Sequence, residues 1–243
     1  AQLATTAKRE GDHYVVNGAK MFITSGMRAD WTTVAVRTGG PGAAGVSLLG
    51  IERDTPGFTR SELKKMGWWA SDTAELHFDD CRVPASNLIG AEGQAFLLIM
   101  RNFNGERLTL AASSCGAAQA CLEDAVAWAR ERKTFGQPLI AHQVIRHKLV
   151  DMAERIEATR ALIDDLASRL DGGEQPVAQT AMAKNYAART MQFCADAAVQ
   201  ILGGSGYMRG VRVERIYREV KVMMIGGGAE EVLKDLAARQ LGL

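Results

Sequence analysis

Cysteine and proline are scarce, at four and five of 243 residues, and so is net charge, since 29 Lys and Arg oppose 28 Asp and Glu. Cys81, Cys115, Cys121 and Cys194 form no C-x-x-C pair, which excludes a disulfide scaffold and reads as the reduced thiols of a cytoplasmic protein. A balance of +1 argues against nucleic acid or an anionic membrane as the main partner. The uncharged stretch Leu108–Leu122 carries two serines and a glutamine, too short and too polar to span a bilayer. His142 and His147 fall off the three- or four-residue spacing of one helix face, so no metal site is expected. No Gly-x-Ser-x-Gly nucleophile motif occurs. Neither an initiator Met nor a leader is found, and the chain reads as cut from something longer.

What is present is globular: 47% hydrophobic against 23% charged residues supports a buried core rather than disorder. Residues 1–90 carry strand signals. His13–Val16 and Ala19–Thr24 flank Asn17-Gly18, which predicts a tight hairpin. Trp31–Arg37, Val46–Glu52, Phe58–Glu62 and Glu75–Phe78 follow, separated by Gly- and Pro-rich turns. With no helical pattern between them, they predict an antiparallel, barrel-like sheet. Over 91–243 the period changes. Ile145, Leu149, Met152, Ile156, Thr159 and Ile163 recur at helical spacing, and 106–132 and 177–201 read likewise, joined by loops such as Asp171-Gly172-Gly173. The fold class is α+β, a β domain followed by an up-down helical bundle.

Four segments invite a functional reading, each with a plainer one beside it. Arg130–Gln137 ends a helix, where basic residues and Gly136 are ordinary C-terminal features. Gln200–Tyr207 is a Gly-rich turn able to offer N–H groups to a phosphate, or simply a helix stop. Ile225–Glu231 sets three glycines before a last helix whose first turn is acidic, as its dipole favours. Phe22–Gly26 closes a strand with a ring and two hydroxyls, a face for a flat cofactor or an ordinary strand end.

Together and in this order, these segments resemble the acyl-CoA dehydrogenase family over essentially the whole chain. Matching stretches are Lys20–Gly26, Asp54–Phe58, Ser71-Asp72-Thr73, Phe78–Pro84, Arg132–Gly136, Gln200–Tyr207 and Glu214–Glu219. The resemblance covers the family's middle β domain and C-terminal bundle. It implies a preceding helical domain absent here, and a fragment that binds FAD poorly and is itself inactive. It also implies FAD as cofactor, with Phe22 against the flavin ring and Thr24 and Ser25 donating to its edge. Arg132, Phe135, Gln143, Gln200, Gly203 and Gly204 would grip the FAD tail across a subunit interface, a pyrophosphate being suited by both charge and N–H donors. Ser71, Asn104 and Arg107 fall at substrate-binding positions.

The chain departs from the commonest family pattern at one place. Where most members read Tyr-Glu-Gly-Thr, with the Glu as base, this sequence has Gly226-Gly227-Gly228-Ala229. A minority, the long-chain and isovaleryl types, carry the base on an earlier helix just before an Arg. Asn104-Gly105-Glu106-Arg107 matches that placement, and reads as a helix break with Glu106 in the first turn of a new helix. Glu106 is then the expected base for the α-proton of a thioester whose carbonyl the Gly227 N–H holds. The glycines themselves suggest added room near the α-carbon. The implied activity is oxidation of an acyl-CoA to trans-2-enoyl-CoA by a homotetramer, a dimer of dimers, with electrons passing to an electron-transfer flavoprotein. A flavin oxidase or monooxygenase of the same fold, and a non-catalytic homologue serving in assembly, are the alternatives.

Overall fold

The computed structural model describes residues 3–243. Strands β1 (Thr6–Glu10) and β2 (His13–Thr24) pair through the two-residue turn Gly11-Asp12, with Gly11 at φ 62°. β3 (Trp31–Arg37), β4 (Val46–Glu52), β5 (Phe58–Glu62), β6 (Thr73–Pro84) and the short β7 (Leu88–Ile89) complete one seven-stranded sheet in the order β5-β6-β2-β1-β3-β4-β7. The pairing is antiparallel except for one parallel bridge, Thr6 to Arg37, between β1 and β3. Among the described residues β5 and β7 are open edges, so the sheet does not close into a barrel.

Period-2 alternation builds the core of this unit. Tyr14 and Val16, Val34 and Val36, Leu49 and Ile51, and Leu76 and Phe78 bury the same cluster, and Phe58 stacks on Phe78 at 4.9 Å between ring centroids. The expected Asn17-Gly18 hairpin does not form, because β2 runs straight through it. Asn17 is used across the sheet instead: its Nδ2 donates to Asp80 Oδ1 at 3.0 Å, and Asp80 N donates to its Oδ1 at 2.9 Å. That pair closes a bulge in β6 at Asp79-Asp80, which shifts the inward parity from Leu76 and Phe78 to Cys81 and Val83. Gly18 is required for close approach, since a Cβ there would lie 2.9 Å from Thr5 Cα.

The second unit is helical: α1 (Ala95–Glu131), α2 (Gln143–Asp171), α3 (Val177–Leu202), α4 (Arg212–Ile225) and α5 (Glu230–Leu241). A small hairpin, β8 (Lys133–Thr134) and β9 (Gln137–Pro138), joins α1 to α2. The boundary between the two compact units falls inside α1, between Asn102 and Phe103. Helix α3 is the hub, packed against α2, α4 and α5. Its buried alanines, among them Ala181, Ala188, Ala195 and Ala198, allow close helix approach, and Thr190 shares a 2.9 Å hydroxyl bond with Thr159 of α2. The α+β reading therefore holds.

One local expectation does not. Helix α1 is continuous through Asn104-Gly105, so Glu106 lies about three turns inside it rather than in a first turn. Asn104 is buried and accepts from Arg107 Nη1 at 3.2 Å, so its side chain is withdrawn from capping. Thr109 Oγ1 donates back to Gly105 O at 3.1 Å, and the helical register carries on.

Candidate active site

In the first unit the Phe22 segment is held in an unusual shape. The register between β2 and β6 slips between Lys20 and Ile23, placing an extra residue on β2. Ile23 turns inward to the core, while Phe22 sits at φ 61° with 77% of its surface exposed. A left-handed aromatic residue stores strain, so the surroundings must over-determine it. They do so through Asp72. Its carbonyl accepts from Ser25 N at 3.1 Å, and its carboxylate accepts from Met27 N at 2.8 Å and pairs with Arg28 at 3.1 Å. Arg28 also donates to Ser25 Oγ at 3.2 Å. Arg60 Nη1 gathers the carbonyls of Gly26 and Ala29 at 3.2 and 3.1 Å. Gly26 is mandatory, because a Cβ would lie 2.7 Å from that of Ala74. The result is an exposed flat ring beside the hydroxyls of Thr24 and Ser25, a shape and donor set that fit a flavin edge. Asp72 and Arg60 carry no distinctive local motif, and only the Ser-Asp-Thr match brought Asp72 into view. Ser71 lies next to this brace, on a cleft of about 500 Å³ that Lys65 and Trp69 also line.

In the second unit, two groups of residues offer donors to solvent. At the β8–β9 hairpin, Phe135 and Gly136 form the turn at φ 50° and 80°, and Phe135 is 97% exposed. Its ring meets His142 edge-on at 6.1 Å, and His142 bonds Thr134 Oγ1 at 3.0 Å, so an unforeseen histidine fixes this turn. Arg132 and Gln143 flank it, both exposed. Gln200, Gly203 and Gly204 form the other group at the end of α3, with Gly203 at φ 60°. No hydrogen bond links these two groups among the described residues. Arg132 charge and Gly203-Gly204 N–H groups remain a donor set suited to a pyrophosphate.

The third constellation joins α1 to the loop between α4 and α5. Arg107 is 7% exposed, and its Nε donates to Gly227 O at 3.1 Å. Burial pushes its guanidinium down from the ordinary value, while neighbouring Glu106 pulls the other way. Glu106 is exposed on the same helical turn. Gly227 lies at φ 68° and Gly228 at φ 118°. A Cβ on Gly227 would stand 2.7 Å from a terminal methyl of Leu110, and one on Gly228 would stand 2.8 Å from a terminal methyl of Leu233, so the loop packs closely on both leucines. A glutamate at Gly227 would be strained as well as crowded. Of the other carboxylates nearby, Glu230 is paired with Arg189 and with Lys234, which hold its carboxyl down at about 2, far too acidic for a base.

No group of three or more metal-ligating side chains occurs among the described residues, and no helix there is long and apolar enough to cross a membrane. Comparison with known proteins agrees with the geometry. The family model "Acyl-CoA dehydrogenase, middle domain" matches residues 1–81, and "Acyl-CoA dehydrogenase, C-terminal domain" matches residues 93–242. The mitochondrial isobutyryl-CoA dehydrogenase of Dictyostelium discoideum is 41% identical over 244 residues, covering 98% of this chain and 58% of its own. The crystal structure of a probable acyl CoA dehydrogenase from Mycobacterium abscessus superposes with a TM-score of 0.98 at 51% identity, covering 100% of this chain and 65% of that one. A structure of the electron transferring flavoprotein of Acidaminococcus fermentans gives a TM-score of 0.95 at 37% identity, covering 99% and 64%. The chain thus spans under two thirds of the length of these proteins, and along the whole of its own length it belongs to the acyl-CoA dehydrogenase family.

Proposed function

We propose that the enzyme to which this chain contributes is an FAD-dependent dehydrogenase that converts an acyl-CoA thioester to its trans-2-enoyl-CoA. The observation that carries this reading is the bond from Arg107 to Gly227 O, which ties the helical turn bearing Glu106 to the three-glycine loop. Phe22, Thr24 and Ser25 would hold the flavin ring, and Arg132, Phe135, Gln143, Gln200, Gly203 and Gly204 its tail. FAD, when bound, supplies the acceptor for the β-hydride. Glu106 takes the α-proton on a carboxylate oxygen, and the Gly227 N–H donates to the thioester oxygen as charge develops there. Glu106 lies well inside α1, beyond the reach of the field at the helix N-terminus. Ser71 and Asn104 belong to the substrate side, Asn104 through its hold on Arg107.

The exposed Phe135 and Arg132 of one tail-binding group, and the exposed Gln200, Gly203 and Gly204 of the other, support a homo-oligomer in which one subunit grips its neighbour's cofactor. Likeness to a structure of the electron transferring flavoprotein of Acidaminococcus fermentans supports a flavoprotein as electron acceptor. Glu106→Gln in the FAD-loaded holoenzyme tests the base. Flavin content should be retained, and flavin bleaching by an acyl-CoA panel of straight and branched chains should slow ~10²–10⁴-fold. Bleaching at the parental rate would remove Glu106 from the mechanism.

A further inference from the structure

Lys184 sits in α3 with 1% of its surface exposed. Its ammonium donates to Met224 O at 3.1 Å and to Gly228 O at 2.9 Å. No carboxylate bonds to it among the described residues, because nearby Glu230 is committed to Arg189 and Lys234. Burial without a paired anion is costly, and a methionine would fill a similar space without that cost. What the lysine gains is a grip on a loop that cannot fix itself. Met224 belongs to the last turn of α4 and Gly228 is the last of the three glycines, so one ammonium spans the junction. The glycines carry no side chains, and two of them sit at positive φ. Arg107 takes the carbonyl of Gly227. The peptide unit that carries the Gly227 N–H lies between two fixed points, Gly226 N bound to Val222 O and the Gly227 carbonyl held by Arg107, and the Gly228 carbonyl beyond it is held by Lys184. Gly226 N is bound to Val222 O at 2.7 Å, whereas the Gly227 N–H has no acceptor among the described residues.

We infer that Lys184 is a positioning residue for the reaction: it locks the Gly226–Gly228 loop so that the Gly227 N–H stands ready for the thioester oxygen, and it sets a buried positive charge behind the site where enolate charge develops. This rests on the reading of Gly227 given above. A purely structural lysine would affect stability but not the ionisation of a bound thioester, and that difference is measurable. Acetoacetyl-CoA has an acidic α-carbon and an absorbing enolate, so its pKa on the FAD-loaded holoenzyme reports oxyanion stabilisation directly. The parent should lower that pKa relative to free solution. Lys184→Met should lose at least tenfold of the lowering, with acetoacetyl-CoA affinity changed less than threefold, and hydrogen exchange across residues 222–229 should accelerate. Lys184→Gln, which keeps an N–H donor group but no charge, should fall between the two, and it serves if the methionine variant does not fold. A parental enolate pKa in either folded variant overturns the inference while leaving Gly227 in its role. A parent that does not shift the pKa overturns the Gly227 reading and this inference with it.

Discussion

Asp72 is the residue on which the Phe22 segment turns. It meets Ser25, Met27 and Arg28 at once, through its carbonyl and both carboxylate oxygens, and so holds two non-glycine residues at positive φ within one turn. Asp72→Ala leaves the Met27 N–H without its acceptor and removes the carboxylate that pairs with Arg28. A loss of about 1–3 kcal/mol is expected in urea unfolding, with FAD affinity falling as the Phe22 ring loses its fixed pose. Asp72→Asn keeps an acceptor for Met27 and gives up only the half-exposed charge pair, so it should cost less than half as much. Equal losses in the two variants would show that the charge, not the hydrogen bond, holds the turn.

At the scale of elements, α1 decides how Glu106 is presented. An Asn-Gly pair reads as a break because both residues favour non-helical backbone, and nothing in the local sequence shows that Asn104 has a buried guanidinium to accept from. The same limit explains β2, where Asn17-Gly18 has hairpin chemistry but its side-chain partners lie on a strand more than sixty residues away. Three of the strands were legible with their ends, Trp31–Arg37, Val46–Glu52 and Phe58–Glu62, whereas the true turn before β2, Gly11-Asp12, shows only in the structure. The segments proposed for the site stand out by motif, while their supports, Asp72 apart, do not: Arg60, His142 and Lys184 act through carbonyls and ring edges that no spacing rule encodes. The continuity of α1 has its own test. Nothing lies within 4 Å of a Cβ built on Gly105, so Gly105→Ala fills open space and removes backbone freedom from the unfolded chain. It should stabilise by about 0.5–1 kcal/mol, a rise of roughly 1–4 °C in Tm. A helix broken at Gly105 would show no gain.

Across the whole molecule, buried ionisable groups set an alkaline stability optimum. Burial lowers Lys184, in the helical unit, and Lys20, in the sheet unit, each to about 8 from 10.5. Above that pH the native chain releases protons that the unfolded chain still holds, so stability rises. The lysine left neutral at Lys184 still has two N–H donors for its two carbonyls. The cysteines act in the opposite sense. Burial raises Cys81 to about 11 and Cys121 and Cys194 to about 12, from 9.0, and it raises Cys115 as well. Above pH 9 the unfolded thiols ionise while the native ones keep their protons, so stability falls. Four thiols outweigh two amines, and the urea midpoint under reducing conditions should climb from pH 8, peak near pH 9 and then decline. Lys184→Met should flatten the climb, since it removes one of the two groups that produce it, and Cys121→Ala should soften the decline. A midpoint falling steadily from pH 7 to pH 10 would mean that neither lysine is held at so low a pKa in the folded chain.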